Sequence, residues 1–277
     1  MKIAVTIKQV PESSNVKMDP ETGTMLRTSA EAVINPLDTN AIEAALTMKE
    51  NCGGEVTVIS MGPPRAVEAL QEALAMGCDK AVLLSDRKFA GSDTWATAYV
   101  LSSAIKKLGP FDVIFCGERA TDGETGQVGP GIAANLDLPL GTYISEIVDV
   151  NADEVTFVRS IEGGFETVKT SLPFVAVVLK DIGTPRLATV RSKLKAKREE
   201  IPVWGLDEIE AKPEWTGLKG SPTRVVKIDK PKLMRKGEII TITSQEDIEA
   251  AADRFVEFLN ERELAVEHLD PERSGNE

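Results

Sequence analysis

Short apolar runs alternate with amphipathic stretches from the start of the chain to residue 136, and few folds accept that alternation. Residues 3–7 read as a strand. Asp38 is placed to cap a helix whose apolar positions are Ala41, Ile42, Ala45, Leu46 and Met48. Residues 55–60 read as a second strand; after Met61-Gly62-Pro63-Pro64 a helix runs to Met76, with Gly77 as its stop. Residues 80–84 read as a third strand, Asp93 heads a helix through Lys107 that Gly109-Pro110 closes, and residues 112–116 give a fourth strand. Strands joined by helical crossovers pair in parallel, with the helices covering both faces. The expected fold class is therefore α/β, a Rossmann-like parallel sheet with helices on both faces. Ligands of such sheets lie beyond the strand C-terminal ends, where residues 6–11, 60–62 and 116–128 converge.

The fourth strand leads into Cys116-Gly117-Glu118-Arg119-Ala120-Thr121-Asp122-Gly123-Glu124-Thr125-Gly126-Gln127-Val128-Gly129-Pro130. Apolar spacing at Val128, Ile132, Ala133 and Leu136 predicts a helix beyond this loop. A strand, a glycine-rich loop and a helix start together hold phosphate, because free N–H groups and the positive helix end face the anion. Thr125, Gly126, Gln127 and Val128, a hydroxyl and successive amides, suit a pyrophosphate. The loop is not a P-loop, lacking Gly-Lys-Ser/Thr, and its glycines do not match the dinucleotide fingerprint. A Gly-rich connection without a ligand reads the same way.

The pattern then changes. Residues 155–161 and 165–171 are strand-like, with Glu162-Gly163-Gly164 as a hairpin turn, and residues 174–179 suit a strand buried on both faces. From Ile182 the periodicity breaks up, and Pro185, Pro202, Pro213, Pro222 and Pro231 punctuate charged patches. The expected division is a nucleotide-binding domain with its hairpin over 1–183 and a docking loop with an extended C-terminal arm over 184–277. Ser244-Gln245-Glu246-Asp247 opens a helix with a capping-box pattern and an apolar face of Ile248, Ala251, Ala252, Phe255, Val256 and Leu259. That face needs cover, either from a partner subunit or from the chain's own domain.

Composition narrows the function. A chain of 277 residues with 42% hydrophobic and 27% charged residues can bury a sizeable core. No apolar run approaches a membrane span, so no direct membrane insertion is expected, and the strand signal at the N-terminus leaves no room for a signal peptide. The expected compartment is the cytoplasm. Cys52, Cys78 and Cys116 are widely spaced and odd in number, which suits buried thiols rather than a metal site. The one histidine, His268, makes Ser-His-Asp triads and His-based metal centres improbable and favours chemistry carried by a cofactor. A net charge of −12 argues against nucleic acid as a partner. Against that background Arg186, Arg191, Lys193, Lys195, Lys197 and Arg198 form an acid-free basic run, either a solvated loop or a docking segment for an acidic partner.

Five segments in order resemble the β (small) subunit of electron-transfer flavoproteins, over nearly the whole chain. They are Ile7-Lys8-Gln9-Val10-Pro11; Asn35-Pro36-Leu37-Asp38; Gly62-Pro63-Pro64-Arg65-Ala66 through Gly77-Cys78-Asp79-Lys80-Ala81; Arg159-Ser160-Ile161-Glu162-Gly163-Gly164-Phe165-Glu166-Thr167-Val168 with Pro173; and Pro185-Arg186 with Lys193-Leu194-Lys195-Ala196-Lys197. The resemblance implies a heterodimer with an α subunit that carries an electron-transferring FAD, and an adenine nucleotide in this chain. Members that hold structural AMP have a longer Asp-Asp-rich loop. The shorter Asp122-Gly123-Glu124-Thr125-Gly126-Gln127 resembles the electron-bifurcating branch, whose β subunit binds a second FAD, although Gly126 stands where many of those relatives have a small residue such as alanine. Gly220-Ser221-Pro222-Thr223-Arg224-Val225-Val226-Lys227-Ile228 is similar to that branch too.

The site implied is Thr6, Asn35, Pro36, Asp38, Met61, Cys116, Asp122, Gly123 and the 125–128 amides, with Asn35 at the adenine edge, Thr6 and Met61 lining the pocket, and Asp122 either orienting loop and ribose or capping the loop. Glu162 either approaches flavin or NADH or is a solvated turn residue. Arg191, Lys193, Leu194, Lys195 and Lys197 would dock redox partners, with Leu194 as an apolar anchor or as a residue packed on its own domain. The implied partners are the α subunit, an acyl-CoA dehydrogenase or quinone-linked oxidoreductase, and ferredoxin or flavodoxin; NADH is the implied donor. The other functions open to the residues are a non-bifurcating carrier with AMP and a stand-alone nucleotide-binding regulatory protein of the universal-stress type.

Overall fold

The computed structural model describes residues 1–12, 32–226 and 239–261. His268, Pro231, Lys227 and Ile228 lie outside them. The chain forms two compact units, Met1–Ile228 and Asp229–Glu277.

In the first unit the strands are β1 (Lys2–Ile7), β2 (Gln9–Pro11), β3 (Ala32–Ile34), β4 (Glu55–Met61), β5 (Lys80–Leu84), β6 (Val113–Gly117), β7 (Leu140–Val150), β8 (Glu154–Ile161), β9 (Gly164–Ser171), β10 (Phe174–Val178) and β11 (Val203–Trp204). The helices are α1 (Pro36–Cys52), α2 (Val67–Met76), α3 (Thr94–Leu108), α4 (Val128–Leu136), α5 (Val190–Ala196) and the single turn α6 (Gly217–Gly220). Nine strands make one sheet in the order β11-β5-β4-β1-β6-β10-β7-β8-β9. It is parallel from β11 to β7 and turns antiparallel at β7–β8 and β8–β9. The expected α/β architecture is the one observed.

Burial explains why the central strands read as unbroken apolar runs. On β10, Phe174, Ala176 and Val178 enter one core with α1 and α2, while Val175 and Val177 enter the other with α3 and α4. On β6, Val113 and Phe115 face the first core and Ile114 and Cys116 the second. Both faces are dry, so period-two alternation is invisible in the sequence. A Cβ at Gly129 would sit 2.5 Å from Val177 Cγ2, so the glycine lets α4 lie close on the sheet.

The helix signals hold at Asp93, whose side chain accepts from Ala96 N at 3.0 Å, and at Gly77, which ends α2 at φ 132°. Asp38 is a correction. Pro36, preorganised for a first helical position, starts α1 one turn early. Asn35 then occupies the cap position, and Asp38 turns its carboxylate to Lys8 N at 2.7 Å. Cys52 is exposed, whereas Cys78 and Cys116 are buried and all three are free. Strand β7 had no counterpart in the sequence reading, because its inward and outward positions are irregularly mixed.

The segment after β10 departs from the expected arm. Arg186 Nε donates to Glu43 Oε2 at 2.9 Å, its Nη2 reaches Glu43 Oε1 and Glu50 Oε2, and Asn40 Nδ2 donates to Lys180 O and Gly183 O. α1 thus holds residues 180–186 by side-chain bonds. Further on, β11 adds to the sheet edge, Leu206, Ile209 and Ala211 enter the second core, and Tyr99 Oη accepts from Lys212 N at 2.9 Å. Residues 184–226 therefore pack on the α/β unit; their buried residues are too unevenly spaced to show as a period. In the second unit a helix, α7 (Gln245–Asn260), begins with the expected capping box between Ser244 and Asp247. Ile248, Phe255 and Val256 are exposed on it.

Arg186→Ala should destabilise the first unit by roughly 1.5–3 kcal/mol, the range for hydrogen bonds to charged groups. Urea unfolding of the variant would read it; an unchanged midpoint would mean that the Glu43 and Glu50 contacts contribute nothing.

Candidate functional site

The C-terminal ends of β1, β4 and β6 meet the start of α1 and the loop before α4. Thr6 and Cys116 are register partners on β1 and β6, and Thr6 Oγ1 donates to Cys116 Sγ at 3.2 Å. Burial pushes the Cys116 thiol up to about 12, helped by the nearby Asp38 charge. Cys116 therefore forms a neutral floor and offers no thiolate. Met61, at the end of β4, is half-buried beside the second core.

Asn35 is fully buried, and its amide braces the loop: Nδ2 donates to Arg119 O at 2.9 Å and Oδ1 accepts from Thr121 N at 3.1 Å. Those bonds occupy the groups that would have read an adenine edge. Asp38 lies beside it. Burial raises its carboxyl to about 7; bonds from the Asn35 side chain and Lys8 N, the Lys8 charge and the Gly117 N–H pull it back. Gly117 can be nothing larger, since a Cβ there would stand 2.3 Å from Asp38 Oδ1. Pro36 is exposed at the helix start.

Residues 121–127 are exposed. Asp122 Oδ1 pairs with Lys8 Nζ at 2.6 Å, joining the loop to the residue after β1 and neutralising a carboxylate that would otherwise repel phosphate. Gly123 N and Glu124 N both donate to Ala120 O, which folds the loop into a turn. Gly126 adopts φ 63°, a conformation glycine takes without strain. Gln127 holds the cap position of α4 with no side-chain cap bond, while its Oε1 accepts from Thr94 Oγ1 at 2.9 Å. In the first turn of α4 the Val128 and Gly129 amides have no partner in the helix ladder and Pro130 has no N–H, while Thr125, Gly126 and Gln127 lead into that helix start, the end of a helix that favours an anion. A cavity of about 200 Å³ opens beside them, lined by Arg119, Thr125, Gly126, Tyr143 and Val177 among others. A larger one, about 320 Å³, lies between α1 and β7 and is lined by none of the loop residues.

Other expected residues lie apart. Glu162 is exposed at the β8–β9 turn, and β8 stands three strand spacings, about 14 Å, from β6. The basic segment is helical, since Thr189 caps α5 by accepting from Ser192 N at 3.1 Å. Arg191, Lys193, Lys195 and Lys197 are exposed on or next to α5, and Ala196 is its buried anchor. Leu194 is exposed rather than packed on its own unit, and Leu187 and Val190 are exposed with it. Val190 and Leu194, four apart, lie one turn apart on α5, a spacing readable in the sequence, while Leu187 precedes the helix. Arg186 belongs to the Glu43 contact instead. Among the described residues no cluster could hold a metal ion, and no helix is long and apolar enough to cross a membrane.

A family model described as the electron transfer flavoprotein domain matches residues 22–209. An electron transfer flavoprotein subunit beta from Thermoanaerobacterium thermosaccharolyticum is 44% identical over 265 residues, covering 95% of this chain and 100% of the relative. The caffeyl-CoA reductase-Etf complex subunit CarD of Acetobacterium woodii is 42% identical over 265 residues, with the same coverage. Protein FixA of Azotobacter vinelandii is 45% identical over 242 residues, 84% of this chain and 85% of the relative.

The Asp38 environment has a pH signature. Its folded pKa of about 7 exceeds the ordinary 3.8, so the folded chain holds this proton more tightly than the unfolded one. Stability from this group is full below the unfolded value and lost as pH rises through the folded value. Asp38→Asn, which keeps an acceptor for Lys8 N, should flatten that decline between about pH 5 and about pH 8. Urea midpoints of both proteins at the two pH values would show it, and parallel profiles would contradict it.

Proposed function

Because the chain belongs to the electron-transfer flavoprotein family, as a β subunit, we propose that it holds FAD on the 125–128 amides and serves flavin-based electron bifurcation together with an α subunit. The single observation that carries the cofactor reading is the exposed glycine loop braced from beneath by Asn35, with first-turn amides beside a cavity. A pyrophosphate needs that arrangement, and the short loop resembles that of the bifurcating branch. The chemistry FAD supplies when bound is two-electron uptake from NADH and release in single-electron steps, one electron towards the α-subunit flavin and a high-potential acceptor, the other towards ferredoxin or flavodoxin.

This chain's own residues bind and orient. Thr125 to Val128 receive the phosphates, Lys8 offsets Asp122, and Asn35 and Asp38 fix the loop to the ends of β1 and β6. Cys116 and Thr6 close the floor, and Pro36, Met61 and Gly123 border the site. With Asn35 committed to the loop, its part in nucleotide binding is positioning. Glu162 acts only if a bound group or partner extends to the β8–β9 turn. Family membership sets aside the stand-alone regulatory protein.

Exposed Val190 and Leu194 on α5, with Leu187 just before it, lie among Arg191, Lys193, Lys195 and Lys197, which suits transient docking of an acidic redox partner. An acyl-CoA dehydrogenase or a quinone-linked oxidoreductase is the partner class; the printed name of CarD places that relative in a caffeyl-CoA reductase complex.

Two measurements test this reading. Nucleotide released on denaturing the heterodimer should be FAD, two per heterodimer, with no AMP; one FAD with one AMP would make the chain part of a plain electron carrier. Leu194→Ala should slow electron transfer to the partner dehydrogenase several-fold, about the effect of losing a small apolar anchor, with flavin content unchanged. Unchanged transfer rates would remove α5 from the docking surface.

A further inference from the structure

Strand β7 carries a defect beside the glycine loop. Against β10 its register passes from Gly141 opposite Ala176 to Ile144 opposite Val178, so Thr142 and Tyr143 together face Val177. That is a β-bulge, a device that re-aims a side chain. Pairing with β8 begins only at Ile144, so the bulged pair is free of that ladder too. Within the bulge Tyr143 has φ 56°, a left-handed conformation that glycine would take without strain. Ile144 is fully buried, while Tyr143 is 51% exposed.

Two further facts give the strain a direction. Tyr143 lines the same cavity as Thr125 and Gly126, the residues placed to receive phosphate. Glu124, which lines the same cavity, is likewise a non-glycine residue in the left-handed region, at φ 54°. Of the four such residues in the described chain, two border this one cavity. Backbone strain gathers at ligand sites, where a fixed side-chain direction is worth its cost. A glycine would relieve the strain at position 143 but would leave the cavity without an aromatic face.

We propose that Tyr143 is the aromatic wall for the ring system that a dinucleotide carries beyond its phosphates, the planar heteroaromatic end rather than the adenine. Phosphates on the 125–128 amides leave the cavity next to them for the group at the far end of the pyrophosphate. A tyrosine offers that group an offset-stacking surface and a phenolic hydroxyl at its edge. Arg119 lines the same cavity with its ion-pair partner Glu118 and adds polar edges there. The inference rests on the proposed dinucleotide reading and makes Tyr143 the residue that separates a dinucleotide from AMP at this site.

The test is titration of the heterodimer, its exchangeable nucleotide washed out, with FAD and separately with ADP. The proteins compared are wild type, Tyr143→Gly and Tyr143→Phe. The glycine variant relieves the backbone, so its melting temperature should equal or exceed the wild-type value. It should bind FAD about tenfold more weakly, the size of a lost aromatic pair, and ADP as the wild type does. Fluorescence of the bound flavin should rise when the ring that quenches it is gone, and Tyr143→Phe should behave as wild type. Equal losses for FAD and ADP, unchanged FAD affinity and fluorescence, or weaker association with the α subunit at unchanged FAD affinity would each overturn the proposal. A wild-type protein that binds ADP as tightly as FAD would show instead that the dinucleotide reading itself had failed, and Tyr143's role with it.

Discussion

Two buried polar side chains at one helix start, Asn35 and Asp38, hold together the parts of the candidate site. Asn35 ties the loop after β6 at Arg119 and Thr121, and Asp38 ties the backbone beyond β1 at Lys8. Burying a carboxylate is costly, and the rise of its pKa to about 7 records that cost. Backbone and side-chain donors offset it in part, and in return the ends of two strands and the first turn of α1 are fixed to one another. An exposed glycine loop would otherwise have many conformations, and ordering it on ligand binding would weaken affinity. Bracing from beneath removes part of that penalty in advance for any ligand the loop takes.

The sheet supplies the platform. Strands β6 and β10, buried on both faces, set the level at which the loop leaves, and Gly129 lets α4 rest closely on Val177. The chain crosses from parallel to antiparallel pairing at β7, and that strand carries the bulge at Thr142 and Tyr143, which line the cavity beside the loop. A change of sheet architecture and the border of the candidate site thus coincide on one strand. The exposed basic residues on and next to α5, a helix anchored by Ala196, belong to the same unit.

Much of this was legible in the sequence, for identifiable reasons. Helix starts with a capping side chain, at Asp93 and Ser244, were readable because the cap is a local contact. The apolar run of β10 was readable because both its faces are buried. The glycine loop declared itself by composition, and its neighbours by resemblance. Asn35 was singled out for an adenine edge, but its bracing of the loop was not legible: an amide bonding two backbone groups more than eighty residues away leaves no pattern in sequence. Residues 184–226 read as an arm because Ile201, Leu206, Ile209 and Ala211 are buried without a period. Tyr143 gave no signal at all, since a bulge is a property of pairing between strands and not of either strand alone.

The central claim is that a nucleotide's phosphates lie on the amides between Thr125 and Gly129. Hydrogen–deuterium exchange of the heterodimer, with and without added FAD, tests it most directly. The account predicts slowed exchange at those amides and at Thr121, whose N–H the Asn35 brace already holds. Unchanged exchange across the loop, with protection confined to the α subunit or to another face of this chain, would contradict it.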